Sequence, residues 1–347
     1  MLFRSDAGLD EELAALLQRH QRVLRRDALA VGDQGAVLPR PDLAVPRLEA
    51  LEHVVQLPRP ARLREELGAE ADQAARRHEV LEPHPAGAVV DHLLHPALAQ
   101  GKVYLTTAVP KDGGLSLRAL AVDGGTGKII WDREVRAVDK APKIHSKNSH
   151  ASPTPIVRDG SVFVHFGALG MASLAAADGA IQWTNFDINY PPVHGSGGSP
   201  VLHDGKLVIV CDGSTNPFVA AIDAKTGKLA WKQPRSILGK INHSFVTPTV
   251  TVIDGKAQVM APGPDHFAAY DLETGVEVWR VKAPGWSVVP QPAIGHGLVI
   301  YNHDYDNPEL LAVKLGGKGD VTESNIVWRL KQGAPSSPSP LLVGDEL

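Results

Sequence analysis

The sequence is almost without cysteine: Cys211 is the one cysteine among 347 residues. A single thiol excludes an intrachain disulfide framework and any metal site built from several cysteines. No apolar run approaches the roughly 18 residues that a membrane-spanning helix needs. The net charge is −4, from 35 basic and 39 acidic residues. A broadly basic surface for binding nucleic acid is therefore not expected.

Seven residue types are missing from the first hundred residues: Lys, Asn, Thr, Ile, Tyr, Trp and Cys. This Arg/Ala/Leu/Glu-rich segment carries 12 arginines and 16 acidic residues, and Phe3 is its one aromatic residue. Residues 101–347 hold 23 basic and 23 acidic residues and are therefore neutral. The change of composition predicts a boundary near Gln100, between a leader segment, 1–100, and a second segment, 101–347.

Three interpretations of residues 1–100 remain open. Leu9, Leu13 and Leu16 share one helical face, which suits a helical adaptor or interaction arm. Several prolines and few large side chains instead favour a weakly helical or disordered segment. The third interpretation is that the segment is not native, because its residue types have GC-rich codons, as in a wrong-frame translation joined to a real gene. Residues 1–10 show no signal peptide.

Two markers recur with a common period along residues 101–347. Five tryptophans lie 52, 48, 48 and 49 residues apart: Trp131, Trp183, Trp231, Trp279 and Trp328. Five prolines, each after Ser, Thr or Gln, lie 47, 48, 44 and 48 residues apart: Pro153, Pro200, Pro248, Pro292 and Pro340. Two markers that keep the same period over five copies indicate a repeat protein.

Each repeat predicts four short strands and no helix. In the third copy, an alternating apolar run over 201–210 contains the turn Asp204-Gly205, which is typical of a hairpin. A third strand ends at Asp223, and a turn with Thr-Gly leads into a strand that carries Trp231. Four-stranded units of this length predict an all-β fold, a β-propeller with at least five blades.

Three segments, Ala121–Trp131, Ala221–Trp231 and Ala269–Trp279, fit the pattern A-x-D-x-x-T-G-x-x-x-W. The pattern resembles the tryptophan-docking motif of the PQQ-like repeat family, the quinoprotein-type propellers. That family includes BamB-type outer-membrane assembly lipoproteins and PQQ-dependent alcohol dehydrogenases. The second copy has Ala175 where the motif has Asp, and the fifth has an insertion over 316–324.

The resemblance implies that the five repeat tryptophans are structural and pack between neighbouring blades. It also implies seven or eight blades, whereas the chain has five tryptophan units and the start of a sixth over 336–347. The sequence is therefore expected to be an incomplete, truncated propeller.

Polar and aromatic residues come before the blade-opening prolines. Repeat symmetry places these segments on one face of the propeller, near the central channel, where a ligand is commonly bound. The candidates are His145, Asn148, His150, His194, Asn242, His243 and Trp286. Imidazoles there could bind a metal, an anion or a polypeptide; alternatively, these residues cap turns and satisfy loop backbone groups.

The other histidines are weaker candidates. We expect His165, His203 and His296 in ordinary strand or hairpin positions. The pairs Asp265-His266 and His303-Asp304 are expected in loops, as secondary candidates. We predict no catalytic residue and no metal site.

The sequence contains no phosphate-binding glycine loop, no G-x-S-x-G and no HExxH. For a dehydrogenase, the resemblance implies PQQ, calcium and an adjacent cysteine pair, but Cys211 is alone. We therefore predict a non-catalytic, extracytoplasmic binding or scaffold module in the periplasm or cell envelope. Its partner would be a protein, a peptide or a small molecule at the channel face. The alternative is a divergent PQQ-dependent dehydrogenase, and a weaker one is a sugar- or peptide-processing enzyme.

Overall fold

A computed structural model describes residues 96–236 and 243–347. Residues 1–95 of the leader segment, with the interpretations that rest on them, and the candidate Asn242 lie outside these residues. Where the chain is described, its regular structure is strand apart from a 3₁₀ turn at Gly167–Leu169 and the helix α1 (Thr322–Asn325). No helix in those two ranges is long and apolar enough to cross a membrane.

The strands of the described residues form five sheets, each with four antiparallel strands in chain order. The first sheet contains β1 (Ala97–Ala99), β2 (Lys102–Lys111), β3 (Gly114–Asp123) and β4 (Ile129–Val138). The second contains β5 (Ile156–Arg158), β6 (Ser161–His165), β7 (Met171–Ala175) and β8 (Ile181–Asn185). The third contains β9 (Val201–His203), β10 (Lys206–Cys211), β11 (Phe218–Asp223) and β12 (Leu229–Pro234).

The fourth sheet contains β13 (Thr249–Ile253), β14 (Lys256–Gly263), β15 (His266–Asp271) and β16 (Glu277–Lys282). The fifth contains β17 (Ala293–Gly295), β18 (Leu298–His303), β19 (Glu309–Lys314) and β21 (Ile326–Leu330). A short strand, β20 (Gly319–Asp320), joins the fourth sheet beside β16. These sheets are the predicted four-stranded blades. The first begins at Ala97, slightly before the boundary expected at Gly101.

Blades two to four are apolar on both faces because each packs between two neighbours. Along β10, Leu207 and Ile209 face blade two, and the alternate residue Val208 faces blade four. Successive side chains of a strand point to opposite faces, so a strand buried on both faces is apolar almost throughout. Every pair of neighbouring blades within the described residues therefore shares a core cluster.

The first two strands of each blade are joined by a tight turn with two left-handed residues. In the third blade these are Asp204, with φ 43°, and Gly205, with φ 71°. This is the type I′ geometry that Asp-Gly favours, and it explains why that dipeptide predicted the hairpin. Of the histidines expected in strands or hairpins, His203 ends β9 and His296 lies in the same turn of blade five.

Three repeat tryptophans make the same contact with the next blade. The Trp183 indole donates from Nε1 to the carbonyl oxygen of Ala224 at 2.9 Å, and its ring lies over Gly227, where a Cβ atom would meet it at 2.5 Å. The equivalent groups are Trp131 with Ala176 and Gly179, and Trp231 with Leu272 and Gly275. The turn of one blade is thus the platform for the indole of the blade before it.

The aspartate of the motif builds this platform. The Oδ1 atom of Asp223 accepts hydrogen bonds from the backbone N and Oγ1 of Thr226, at 2.8 and 2.7 Å. These bonds stabilise the carboxylate and lower the pKa of Asp223. In the second copy, Ala175 cannot do this, and Asp178 accepts instead from the backbone N of Ala180 at 2.9 Å. The turn therefore survives the loss of the motif residue.

The Ser/Thr-Pro marker forms a second link between blades. The Ser199 hydroxyl accepts from the backbone N of Thr154 at 2.9 Å, and the Ser199 backbone N donates to the Thr247 hydroxyl at 3.0 Å. Ser339 accepts from the backbone N of Gln291 at 3.0 Å in the same way. Together with the bridge between Val343 and Glu346, this contact agrees with a sixth repeat that starts over 336–347.

The contact between blades four and five is different because of the insertion. Trp279 is fully buried and donates from Nε1 to Gln258 of its own blade at 3.0 Å. The insertion places β20 parallel to β16, with Gly319 opposite Trp279, and thereby takes the place of the missing docking turn. Trp328 is 37% exposed, and none of the glycines described after it lies against its ring.

The docking contact predicts different costs for two glycines with the same backbone conformation. Gly205→Ala places a Cβ in open space at φ +71°, whereas Gly227→Ala at φ +72° places one against the Trp183 ring. The left-handed conformation should cost either variant roughly 1 kcal/mol, and the clash should cost Gly227→Ala about 1–3 kcal/mol more. Urea unfolding measures both. Equal losses of unfolding free energy in the two variants would contradict the docking contact. The additional loss in Gly227→Ala should disappear when Trp183 is also replaced by alanine.

Candidate functional site

The crossovers that lead from one blade to the next lie on one side of the fold. Antiparallel strands alternate in direction, so these crossovers share a side with the loops between the second and third strands of each blade. The docking turns lie on the opposite side. We call the first side the crossover face. Each crossover leads into the first strand of the next blade, and first strands of neighbouring blades, such as β9 and β13, approach each other. The end of each crossover therefore lies near the centre of the ring of blades.

Five aromatic rings from successive segments form a continuous arc on the crossover face. The ring centroids are 5.3 Å apart for His145 and His194, 5.5 Å for His194 and His243, and 5.6 Å for His243 and Trp286. These three pairs meet edge to face, and Tyr305 follows at 6.1 Å from Trp286. We call this set the aromatic arc. Edge-to-face pairs are a favourable geometry for aromatic rings.

Backbone hydrogen bonds between crossovers hold the arc in place. His145 donates from its backbone N to the His194 carbonyl oxygen at 3.1 Å, and Ser287, next to Trp286, donates to that of His243 at 3.1 Å. Tyr305 donates to the Trp286 carbonyl oxygen at 3.1 Å. Three of the four neighbouring pairs in the arc are thus joined through their backbones, His145 to His194, His243 to the Trp286 segment and Trp286 to Tyr305.

Two of the remaining predicted candidates, Asn148 and His150, lie in the same segment as His145. The Asn148 side chain donates from Nδ2 to the His194 carbonyl oxygen at 2.8 Å, and its Oδ1 accepts from Ser152 Oγ at 2.7 Å. Asn148 thus satisfies loop backbone, as the alternative interpretation expects. His150 is half-buried in the turn just after it. The structure therefore brings His145, His194, His243 and Trp286 together, with Asn148 as a brace.

The centre of the arc is buried and its rim is exposed. His243 is 4% exposed, whereas His145 and His194 are exposed. Burial, and then the neighbouring His194, lower the pKa of His243, so this imidazole is neutral near pH 7. The rings meet edge to face and do not converge on one point. Over the described ranges, no group of three His, Cys, Asp or Glu residues could hold a metal ion.

A buried ion pair anchors the crossover that carries His243. Arg235 and Asp212 have fully buried side chains, 3.3 Å apart between a guanidinium nitrogen and Oδ2. The same Oδ2 accepts from the hydroxyl of Ser244 at 2.6 Å, and Arg235 donates to the carbonyl oxygens of Ala261 and Pro262 at 3.3 Å. A buried charge left without its partner is costly, so this pair holds Ser244, and His243 beside it, against blade four.

Sequence reasoning missed Tyr305 and the pair Asp212–Arg235. Tyr305 lies in the loop between β18 and β19 rather than in a crossover, so repeat symmetry does not point to it. The ion pair joins residues of one blade that no motif connects. A charged residue directly after an apolar strand, as Asp212 follows Cys211, is the one signal that could have suggested it.

Two expectations about secondary candidates were wrong. His266 is the first residue of β15 and His303 the last of β18, so both lie in strands and both are buried, at 3% and 6% exposure. Polar residues at strand ends look like loop residues in the sequence because the pattern of apolar residues stops there. His165, expected in a strand, ends β6 and is buried.

Comparisons with known proteins agree with this architecture. A family model described as outer membrane protein assembly factor BamB matches residues 90–234 and 215–347. BamB of Moranella endobia (strain PCIT) is 26% identical over 167 residues, 47% of this chain and 39% of that protein. Quinohemoprotein alcohol dehydrogenase ADH-IIG of Pseudomonas putida is 30% identical over 160 residues, 41% of this chain and 21% of that protein.

Among solved structures, BamB from Moraxella catarrhalis is 16% identical with a TM-score of 0.44, over 66% of this chain and 61% of that chain. The chain spans less than half the length of either curated relative, at 39% and 21%.

Two buried histidines predict that acid destabilises the fold. Burial lowers the pKa of His165 to about 4, and burial and nearby arginines lower that of His266 to about 3. The unfolded chain binds these protons near pH 6.5, so the free energy of unfolding should fall as the pH decreases below that value. At pH 5, each histidine should have lowered the free energy of unfolding by about 2 kcal/mol.

Urea unfolding at pH 7.5 and pH 5 measures this loss. His165→Phe should remove its share of the pH dependence, whereas His296→Phe, at an exposed hairpin position, should leave it intact. If the free energy of unfolding falls by the same amount between pH 7.5 and pH 5 in both variants, the assignment of this titration to His165 is contradicted.

Proposed function

Because the chain belongs to the PQQ-like repeat family whose model is described as outer membrane protein assembly factor BamB, we propose that it is a non-catalytic binding module of the cell envelope. A polypeptide partner docks on the crossover face. The observation that supports this most strongly is the aromatic arc. The name of the Moranella endobia relative, an outer membrane protein assembly factor, supports the envelope location and the protein partner.

The arc has the layout of a protein-binding surface. Its centre, His243 and Trp286, is buried or half-buried, and the rings around it are exposed, among them Tyr305 at 47%. Binding energy at protein interfaces concentrates in packed aromatic residues surrounded by a rim that excludes water. A line of rings offers contact area in one direction, which suits an extended chain better than a compact small molecule.

The arc is also ready for binding without rearrangement. Backbone hydrogen bonds join three of the four neighbouring pairs of segments, and the buried pair of Asp212 and Arg235 fixes the central crossover. A surface that is already ordered loses little conformational entropy when a partner binds.

The second candidate function is a divergent PQQ-dependent dehydrogenase, which the 30% identity with the quinohemoprotein alcohol dehydrogenase favours. The residues do not fit its cofactors. Cys211 is alone and fully buried in the core between blades two and three, where burial raises the pKa of its thiol well above the usual value. Calcium needs several oxygen ligands together, and in the described ranges no three His, Cys, Asp or Glu side chains converge closely enough to hold a metal ion.

An array of short random-sequence peptides tests the proposal. The full chain should bind a subset of them, and Trp286→Ala should weaken that binding about tenfold or more, because truncating a packed aromatic residue at an interface has effects of this size. His194→Ala should weaken binding to a smaller extent, since that ring lies on the exposed rim. Fluorescence anisotropy with resynthesised peptides measures each dissociation constant.

The matched control is His203→Ala, a half-exposed histidine of blade three on the side opposite the crossover face. It should bind the peptides as the unchanged chain does. If Trp286→Ala and His203→Ala behave alike, the arc is not the binding surface. In a parallel titration with PQQ and calcium, tight binding together with dye-linked alcohol oxidation would favour the dehydrogenase instead.

A further inference from the structure

A polar pocket lies at the blade-five end of the aromatic arc. It has a volume of about 560 Å³ and is formed by the loop after β18, by Pro284 at the start of the crossover that carries Trp286, and by Lys331 after β21. Three carboxylates line it, those of Asp304, Asp306 and Glu309, against one ammonium group, that of Lys331. Residues 101–347 as a whole are neutral, so this concentration of acceptors is local.

One of these carboxylates is buried with an oxygen that has no partner. Glu309 is 6% exposed, and its Oε2 contacts the His303 Nε2 at 2.9 Å and accepts from Arg329 at 3.0 Å. Its Oε1 has no hydrogen-bond partner within the described residues. Burying a polar atom without a partner is unfavourable. This oxygen therefore calls for a donor from beyond the described residues.

Glu309 is a carboxylate rather than a carboxylic acid. Burial alone would raise its pKa, but the hydrogen bond from His303 and the charge of Arg329 outweigh burial, and the pKa lies below the usual value. The unpartnered oxygen is thus an acceptor only. A group that carries N–H donors and no acceptor complements it best, and side-chain ammonium and guanidinium groups are of that kind.

The pocket adjoins the arc, because Trp286 and Tyr305 neighbour the lining residues Asp304 and Asp306. The Trp286 indole donates from Nε1 to Asp306 Oδ2 at 3.2 Å, and Tyr305, the last ring of the arc, stands between Asp304 and Asp306 in the same loop. A chain bound along the arc would therefore pass directly beside the pocket. Aromatic faces next to carboxylates also favour a cation over a neutral group.

We propose that this pocket takes the guanidinium or ammonium group of a basic side chain, arginine or lysine, in a polypeptide bound along the aromatic arc. The inference deepens the proposed function and rests on it for the source of the cation. A planar guanidinium fits best, because its parallel N–H groups can bind carboxylates in pairs. Lys331 is exposed and competes with the ligand, so removing it should strengthen binding.

The first experiment needs no knowledge of the partner. N-acetylarginine amide and its neutral analogue, N-acetylcitrulline amide, are compared by saturation-transfer NMR on the full chain. The arginine compound should bind and the citrulline compound should not. Asp306→Asn, in an exposed loop, should abolish this preference, and Glu309→Gln should do the same. Asp204→Asn, on the opposite side of the fold, is the matched control and should keep it.

The second experiment identifies the source of the cation. In peptides that bind the arc, replacing one arginine by citrulline should weaken binding about tenfold, the scale expected for a charge-assisted pair. In Asp306→Asn this difference should disappear, whereas Lys331→Ala should strengthen binding of the arginine peptide.

The outcomes separate this inference from the proposed function. No preference for N-acetylarginine amide would overturn the cation pocket even if peptides bind the arc. Peptides whose binding depends on Trp286 of this chain, but not on an arginine or lysine of their own, would also overturn the cation pocket. Binding of N-acetylarginine amide without any peptide binding would overturn both the proposed function and the assignment of the cation to a polypeptide.

Discussion

The contact of an indole ring with a bare glycine backbone determines the rest of this structure. Trp183 can lie over Gly227 only because that residue has no Cβ and adopts a left-handed conformation. The same turn offers the Ala224 carbonyl oxygen to the indole N–H. Each blade thereby fixes the position of the next, and the blade spacing fixes the spacing of the crossover loops. The aromatic arc exists because one ring per crossover is repeated at that spacing.

The exception at blade five shows which part of this contact is essential. No docking turn is available for Trp279, yet its side chain is fully buried. The insertion supplies apolar cover through Val321, which belongs to the same core cluster, and Gln258 supplies the acceptor for the indole N–H. Burial of the ring and a partner for its N–H are therefore what the interface requires, and different local structures can provide them.

The repeat markers predicted most of the fold, because each marker corresponds to a contact made once per blade. Repeat symmetry also pointed to His145, His194, His243 and Trp286, which the structure places as neighbours. It could not reach residues that break the symmetry. Tyr305 extends the arc from a different loop, and Glu309 gains its role from His303 and Arg329, which only the strand pairing of blade five brings beside it. Such sites depend on a combination of residues that occurs in one blade only.

The strand supplied by the insertion has a further consequence for the rim of the fold. The last strand of a blade presents unpaired backbone groups, which can pair with a strand from another molecule. At β16 that position is already occupied by β20, which belongs to the same chain. In the described residues no such strand lies beside β4, β8 or β12. Association through exposed strand edges is thus blocked at blade four along Trp279 and Arg280, whereas in the described ranges β4, β8, β12 and β21 keep an unpaired edge.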